Sequence, residues 1–300
     1  MFKMRLSWGI YRVRLVIWGA KIQLFCDICK KKTDNLQYIA QKFGYMGIFL
    51  YICAPFCGFV MTTIAFDSST AVCSAALLRD GAVVAERFNL SASNHAALLP
   101  TYVQELQAYA ADLQLHIEGV VLSEGAGSYT GLRISASLAK GLCYGADLPL
   151  IAVPTPAVIA AAAINALMPE ISDQPSALIC PMIDARRMEV YCALYDTDLH
   201  TIQQQAPVII NEQSFARLLE EHVIYFCGDG SDKCKAVIRH PNARWIEQIV
   251  PTGAQAGKLA ETYINRTDLV RRIEGKQIAY FEPKYLKEFI AAPSHVKGLH

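Results

Sequence analysis

Ser123-Glu-Gly-Ala-Gly-Ser-Tyr-Thr-Gly-Leu-Arg-Ile134 is the stretch from which the rest of this chain is best read. Gly119–Leu122 before it reads as a short apolar strand, and Leu132–Gly145 after it reads as a helix. Gly125, Gly127 and Gly131 permit a tight strand-to-helix turn that residues bearing a β-carbon resist. Ser128 and Thr130 can cap the helix, whose first N–H groups could also meet an anion. A packing turn and an anion cradle both stay open on these residues alone. Three common motifs do not. A phosphate loop needs Lys-Ser/Thr after its last glycine, where Leu132-Arg133 stands. A dinucleotide fingerprint needs a third glycine at Thr130, and a nucleophile elbow on Ser128 needs glycines at Ala126 and Thr130.

Working outward toward the N-terminus, Thr63–Asp67 is an apolar strand, and Ala71–Leu78 and Ala82–Asn89 flank the hairpin turn Arg79-Asp80-Gly81. A helix follows from His95 to about Leu113, with Ser93 or Asn94 as cap and Pro100 predicting a kink or local break. Toward the C-terminus come a strand at Leu150–Val153, an alanine-rich helix at Pro156–Leu167 and a hinge at Pro169–Pro175. Strands at Ala177–Asp184 and Glu189–Tyr195 then open a second series. A helix at Ser214–Glu221, a strand at Val223–Cys227 ending in Gly228-Asp-Gly230, a helix at Ala254–Ile264 and a tail at Tyr280–Phe289 complete it. Three strands followed by alternating helices and strands predict an α/β chain of two ribonuclease-H-like lobes, the actin/Hsp70/sugar-kinase architecture. The expected divisions are 1–60, outside the fold; 61–168, the first lobe; and 169–300, the second lobe with its tail.

The chain has 300 residues, 53% hydrophobic and 18% charged, a composition that folds and argues against disorder. Its net charge of +1 hides an asymmetry. Residues 1–60 hold nine Lys/Arg against two Asp/Glu, and the remaining 240 hold 19 against 25. A mildly acidic body grips nucleic acid poorly, so any RNA is expected to be held by another subunit. Ten cysteines form no regular framework, and the six in the body lie mostly in apolar runs, which predicts a reduced, cytoplasmic setting.

The opening sixty residues lack strand alternation, helix caps and a sustained helical stripe. Cys26-x-x-Cys29 with Cys53-x-x-x-Cys57 has loose zinc spacing without the turn chemistry of a zinc ribbon. Residues 43–66 carry no charge and are long enough to cross a bilayer, yet they would run straight into the first strand. No small-residue cleavage site marks a signal peptide. Met61 directly precedes that strand, and 1–60 are read as upstream sequence from a misplaced start, a membrane anchor being the rival.

A peptidase-like metal site needs two histidines four apart on a helix, and none of the seven (95, 116, 200, 222, 240, 295, 300) form such a pair. A kinase of this architecture needs a glycine-bearing hairpin near its first aspartate, and Asp67-Ser68-Ser69-Thr70 has no glycine until Gly81. Gly228-Asp229-Gly230 could line an adenosine pocket or simply end a strand. Asp67 and Asp184 could face each other across a cleft. The clearest positive feature is the second helix. Leu132, Ala136, Ala139 and Cys143 make one apolar stripe and Ile134, Leu138 and Leu142 another, leaving Arg133, Ser137, Lys140 and Tyr144 polar. Such a helix needs cover on two sides.

The glycine turn resembles the motif of the TsaB (YeaZ) family, commonly Ser-x-Gly-Pro-Gly-Ser-Phe-Thr-Gly-Leu-Arg-Ile-Gly. Here Ala126 replaces Pro, Tyr129 replaces Phe and Ser135 replaces the last Gly. Further matches follow in order: Ile64–Thr70 with Cys73–Leu77, His95 with Leu98-Leu99-Pro100, Ile183–Tyr191 with Met188 in place of Gly, and Glu282-Pro-Lys-Tyr-Leu286. The likeness covers about 61–290. It implies a catalytically silent subunit whose motif loop comprises Ser123, Gly125, Gly127, Ser128, Tyr129, Thr130, Gly131 and Arg133. It further implies docking of TsaD on the helix pair through His95, Leu98, Leu99, Tyr102, Leu138 and Leu142, with TsaE joining the complex. tRNA would be reached through the complex, ATP and metal would sit in partner subunits, and a homodimer could form when TsaD is absent. No membrane role is implied. The alternatives of the same architecture are a stand-alone ATP-dependent kinase and a glycoprotease-like peptidase. Mass spectrometry of the native N-terminus should find the chain beginning at or next to Met61; peptides from 1–42 in a membrane fraction would establish the anchor instead.

Overall fold

The structure is a computed structural model that describes strands within 2–26 and residues 61–90, 94–171, 174 and 176–287. The chain divides into two compact units, Met1–Val60 and Met61–His300. In the first, β1 (Phe2–Trp8), β2 (Tyr11–Trp18) and β3 (Lys21–Cys26) form an antiparallel sheet. This corrects the reading that the segment lacks alternation. Phe2, Met4 and Leu6 do alternate with Lys3, Arg5 and Ser7, and Val13, Leu15 and Ile17 with Arg12 and Arg14. The expected Cys29, Cys53 and Cys57 features and the uncharged run to Val60 lie outside the described residues. No helix among the described residues is long and apolar enough to cross a membrane.

In the second unit, β4 (Thr62–Asp67), β5 (Cys73–Arg79) and β6 (Ala82–Asn89) run antiparallel. Asp80 and Gly81 both take positive φ in the turn between β5 and β6, which matches the twist of the strands it joins. β7 (Gly119–Ser123) and β8 (Leu150–Val153) add parallel strands beside β4. The second sheet repeats this plan with β9 (Leu178–Asp184), β10 (Glu189–Tyr195), β11 (Thr201–Ile209), β12 (Ile224–Cys227) and β13 (Ala243–Trp245). Both sheets have the order third-second-first-fourth-fifth, with the first three strands antiparallel and the last two parallel to the first. That duplicated topology makes two ribonuclease-H-like lobes.

α1 (His95–Asp112) is capped by Asn94, whose side chain accepts from the Ala97 N–H, and it continues through Pro100 as one element. Pro100 lies on the exposed side, where water can satisfy the carbonyl it leaves unpaired. α2 (Tyr129–Ala146) lies beside α1, and together they cover one face of the first sheet with Leu99, Val103, Leu106, Ala136, Ala139 and Cys143. α3 (Thr155–Ile171) runs further than expected, past Pro169, so the passage between lobes is shorter than 169–175. α3 packs on β9, β10 and β12 of the second sheet, and one hydrophobic core spans residues of both lobes around it. α4 (Ala216–Glu221) covers the far face of the second sheet. All six cysteines of this unit are free and buried.

The expected second lobe at 169–300 needs correction at its end. α5 (Gly253–Thr262) packs on β4, β5 and β7, and β14 (Arg271–Ile273) joins β8 as an antiparallel edge strand of the first sheet. Thr252 and Gln255 close a capping box on α5. Gly253 lets the helix touch the sheet: a β-carbon there would stand 2.5 Å from the Ala65 carbonyl oxygen. The Thr63 hydroxyl donates to Glu261 at 2.8 Å and fixes the other end. Gly253→Ala should therefore cost about 1–3 kcal/mol through overpacking, read as a lower urea midpoint at unchanged slope.

Candidate functional site

The glycine turn is held on every side by the chain's own atoms. Glu124 N–H donates to the Val153 carbonyl at 2.8 Å and Thr155 N–H to the Gly125 carbonyl at 2.8 Å. Ser128 N–H donates to the Ser69 carbonyl at 2.6 Å, and the Ser68 hydroxyl to the Gly131 carbonyl at 2.8 Å. The Ser128 hydroxyl accepts the Gly131 N–H, capping α2, and Gln205 of the second lobe accepts the Ala126 N–H at 3.2 Å. A β-carbon at Gly131 would overlap the Ser68 carbonyl. Ser123, Glu124 and Ala126 are buried while Ser128 and Thr130 are exposed. Of the two readings left open by the sequence, the packing turn accounts for these contacts.

Sequence reasoning missed the clamp on this turn. The Glu124 carboxylate, 2% exposed, pairs with Arg271 at 2.6 Å and Lys284 at 2.5 Å. Lys284 N–H also donates to the Glu124 carbonyl at 2.7 Å. The tail then lays Tyr285 against Tyr129, ring centroids 4.8 Å apart, and reaches the second lobe where Lys287 pairs with Glu189. The Glu282–Leu286 match pointed at the tail, but no local pattern could name a partner about 160 positions away.

The remaining candidates separate. Asp67 is wholly buried and accepts from the N–H and hydroxyl of Ser69 at 3.0 and 2.9 Å. Burial pushes its carboxyl above the ordinary value, opposed by the Ser123 hydroxyl, Ser69 and the nearby His95. Asp184 instead pairs with Lys233 and accepts from the Arg186 N–H, so the two carboxylates have separate partners. Gly228 and Gly230 lie against the backbone of Met182–Asp184, and Asp229 accepts the Asp184 N–H at 3.1 Å. Burial raises the Asp229 carboxyl as well. Among the described residues no group of three His, Cys, Asp or Glu side chains could hold a metal ion.

Of the helix-pair residues, Leu98, Tyr102, Leu138 and Leu142 are half-buried at or near the surface. His95 is half-buried, and among the described residues its enclosed Nε2 has no hydrogen-bond partner. Leu99 is corrected: it is 0% exposed and packs in the core under α1, because its position faces the sheet. An open groove of about 570 Å³ runs between the helix N-termini, lined by Ala96 and Pro100 of α1 and Tyr129, Arg133, Ser137 and Leu138 of α2.

The sequence profile of TsaD: tRNA N6-adenosine threonylcarbamoyltransferase matches residues 88–261. The tRNA threonylcarbamoyladenosine biosynthesis protein TsaB of Bacillus subtilis is 33% identical over 49% of this chain and 60% of its own length. The protein of the same name from Escherichia coli is 34% identical over 46% of this chain and 56% of its own length. The chain thus spans somewhat more than half the length of these relatives. The solved structure of YeaZ from Pseudomonas aeruginosa superposes with a TM-score of 0.60 at 23% identity, over 75% of this chain and 100% of that one. A second structure, of an uncharacterized protein with similarity to peptidase YeaZ from Pseudomonas aeruginosa, gives 0.61 at 21% identity over 76% of this chain and 100% of that one.

Asp67 supplies a pH test. Its raised carboxyl favours the protonated form in the fold, so its stabilising contribution is full below the ordinary value of 3.8 and is lost as pH rises through the raised one. Asp67→Asn keeps the acceptor used by Ser69 and removes that loss. Thermal melts between about pH 4 and pH 8 should show the variant gaining on the parent as pH rises. A variant that loses ground as pH rises would show that burial does not dominate.

Proposed function

The chain belongs to the tRNA N6-adenosine threonylcarbamoyltransferase family, and from its TsaB/YeaZ likeness we propose that it is the non-catalytic partner subunit of the complex that transfers a threonylcarbamoyl group to the adenosine beside the tRNA anticodon. It acts by binding and supporting TsaD, with TsaE joining the pair and tRNA reaching it through the complex. The observation that carries this reading is the division of labour around the first lobe. The motif turn is filled and clamped by the chain itself, while the outward side of α1 and α2 keeps an open groove lined by half-buried Ile134 and Leu138. A buried, satisfied turn positions a helix; an apolar seam beside a groove is what a partner helix can cover.

Leu138 suits this role because it lines the groove and is only half-buried. A stable pairing of this kind buries roughly 1,600 Å² in total, and a few central apolar residues carry most of the affinity. The full chain alone should neither turn over ATP nor modify tRNA. Mixed with TsaD, TsaE and the threonylcarbamoyl-adenylate synthase of the same organism, it should restore modification. A Leu138→Glu variant that melts like the parent should fail to do so, a buried unpaired charge costing several kcal/mol. Metal- or ATP-dependent turnover by the chain alone would favour the kinase or peptidase and end the proposal.

A further inference from the structure

The groove between α1 and α2 contains a cation that apolar docking does not require. Arg133 is exposed, and among the described residues no carboxylate pairs with it. Its Nη1 donates instead to the Tyr129 hydroxyl at 2.8 Å, and its guanidinium carbon stands 5.4 Å from the centroid of that ring. The Tyr285 ring lies tilted at 40° against Tyr129, and the Lys284–Glu124 clamp holds it in place. A tail segment thus helps fix a guanidinium that has no carboxylate partner among the described residues.

We propose that the groove receives a carboxylate side chain of the docking partner, bound by Arg133, and that Tyr129 and Tyr285 are positioning residues that hold the guanidinium for it. This rests on the partner-subunit reading above. A planar guanidinium is matched by a carboxylate through two parallel N–H···O bonds, and holding it beforehand lowers the ordering cost of binding. Ala96, Pro100, Ile134 and Leu138 wall the site with apolar surface, which suits an acid projecting from an amphipathic helix. An RNA phosphate would need further cations, and Arg133 is the groove's only basic lining residue among those described.

Titration calorimetry of the full chain with TsaD at low and high salt tests this. Arg133→Glu should weaken binding about 100-fold or more, and Arg133→Lys about tenfold, since an ammonium cannot fork. Binding by the parent should weaken with salt more steeply than binding by Arg133→Gln. Tyr285→Ala should weaken binding about fivefold, with Tyr285→Phe restoring it, because the tilted ring contact needs the ring and not the hydroxyl. Melting temperatures of the Arg133 variants should match the parent. Parent-like affinity in Arg133→Glu overturns the inference and leaves the function standing. Unchanged TsaD affinity with lost tRNA binding by the complex assigns the arginine to RNA and overturns it equally. No binding of TsaD by the parent overturns both.

Discussion

Two turns pressed backbone to backbone organise the first lobe. The Ser68–Ser69 turn after β4 lies against the glycine turn after β7, with the Ser128 N–H on one carbonyl and the Ser68 hydroxyl on another. Contact this close leaves no room for a β-carbon at Gly127 or Gly131. It fixes where α2 starts and therefore where Tyr129 and Arg133 stand. Glu124 then anchors the tail by its carboxylate and carbonyl, so the same turn holds the chain's last described segment. A buried carboxylate with two cations is weak evidence for net stability, but it specifies one arrangement over others. Here that arrangement ties the motif turn, the tail and the second lobe together.

Family membership and architecture also fit the way polar groups are used. Asp67, Asp184 and Asp229, at or just past strand ends, are each engaged by neighbours in the chain. The open chemistry lies instead on the outer face of the first lobe.

The strands legible in the sequence were the short, apolar ones bounded by turn residues; β11, with its run Gln203–Gln205, and the three-residue β13 carry no such apolar pattern and went unread. Asp80-Gly81 announced one hairpin, and the three glycines after Ser123 announced the strand-to-helix turn. The stripe Leu132, Ala136, Ala139 and Cys143 fell inside, and Arg133, Ser137 and Tyr144 outside, as helical spacing requires. Leu99 was misplaced because adjacent Leu98 and Leu99 look alike in sequence, while only the sheet decides which one it covers. The return of α5 and β14 to the first sheet was illegible for a different reason. An amphipathic helix announces that it will be covered but not by what, and Thr63 meets Glu261 across 198 positions. Tyr285 and Lys284 were invisible as partners of Tyr129 and Glu124 on the same ground.

That return has a consequence for how the molecule is made. On the ribosome the first sheet emerges with its inner face, Ala65, Ala76 and Leu78, lacking the helix that will seal it. At roughly 5–20 residues per second, the delay before α5 appears is on the order of ten to forty seconds. The second lobe is synthesised entirely within that interval. Folding therefore cannot proceed as two independent events in order, and the nascent first lobe is a half-covered sheet exposed to aggregation until α5 has been made.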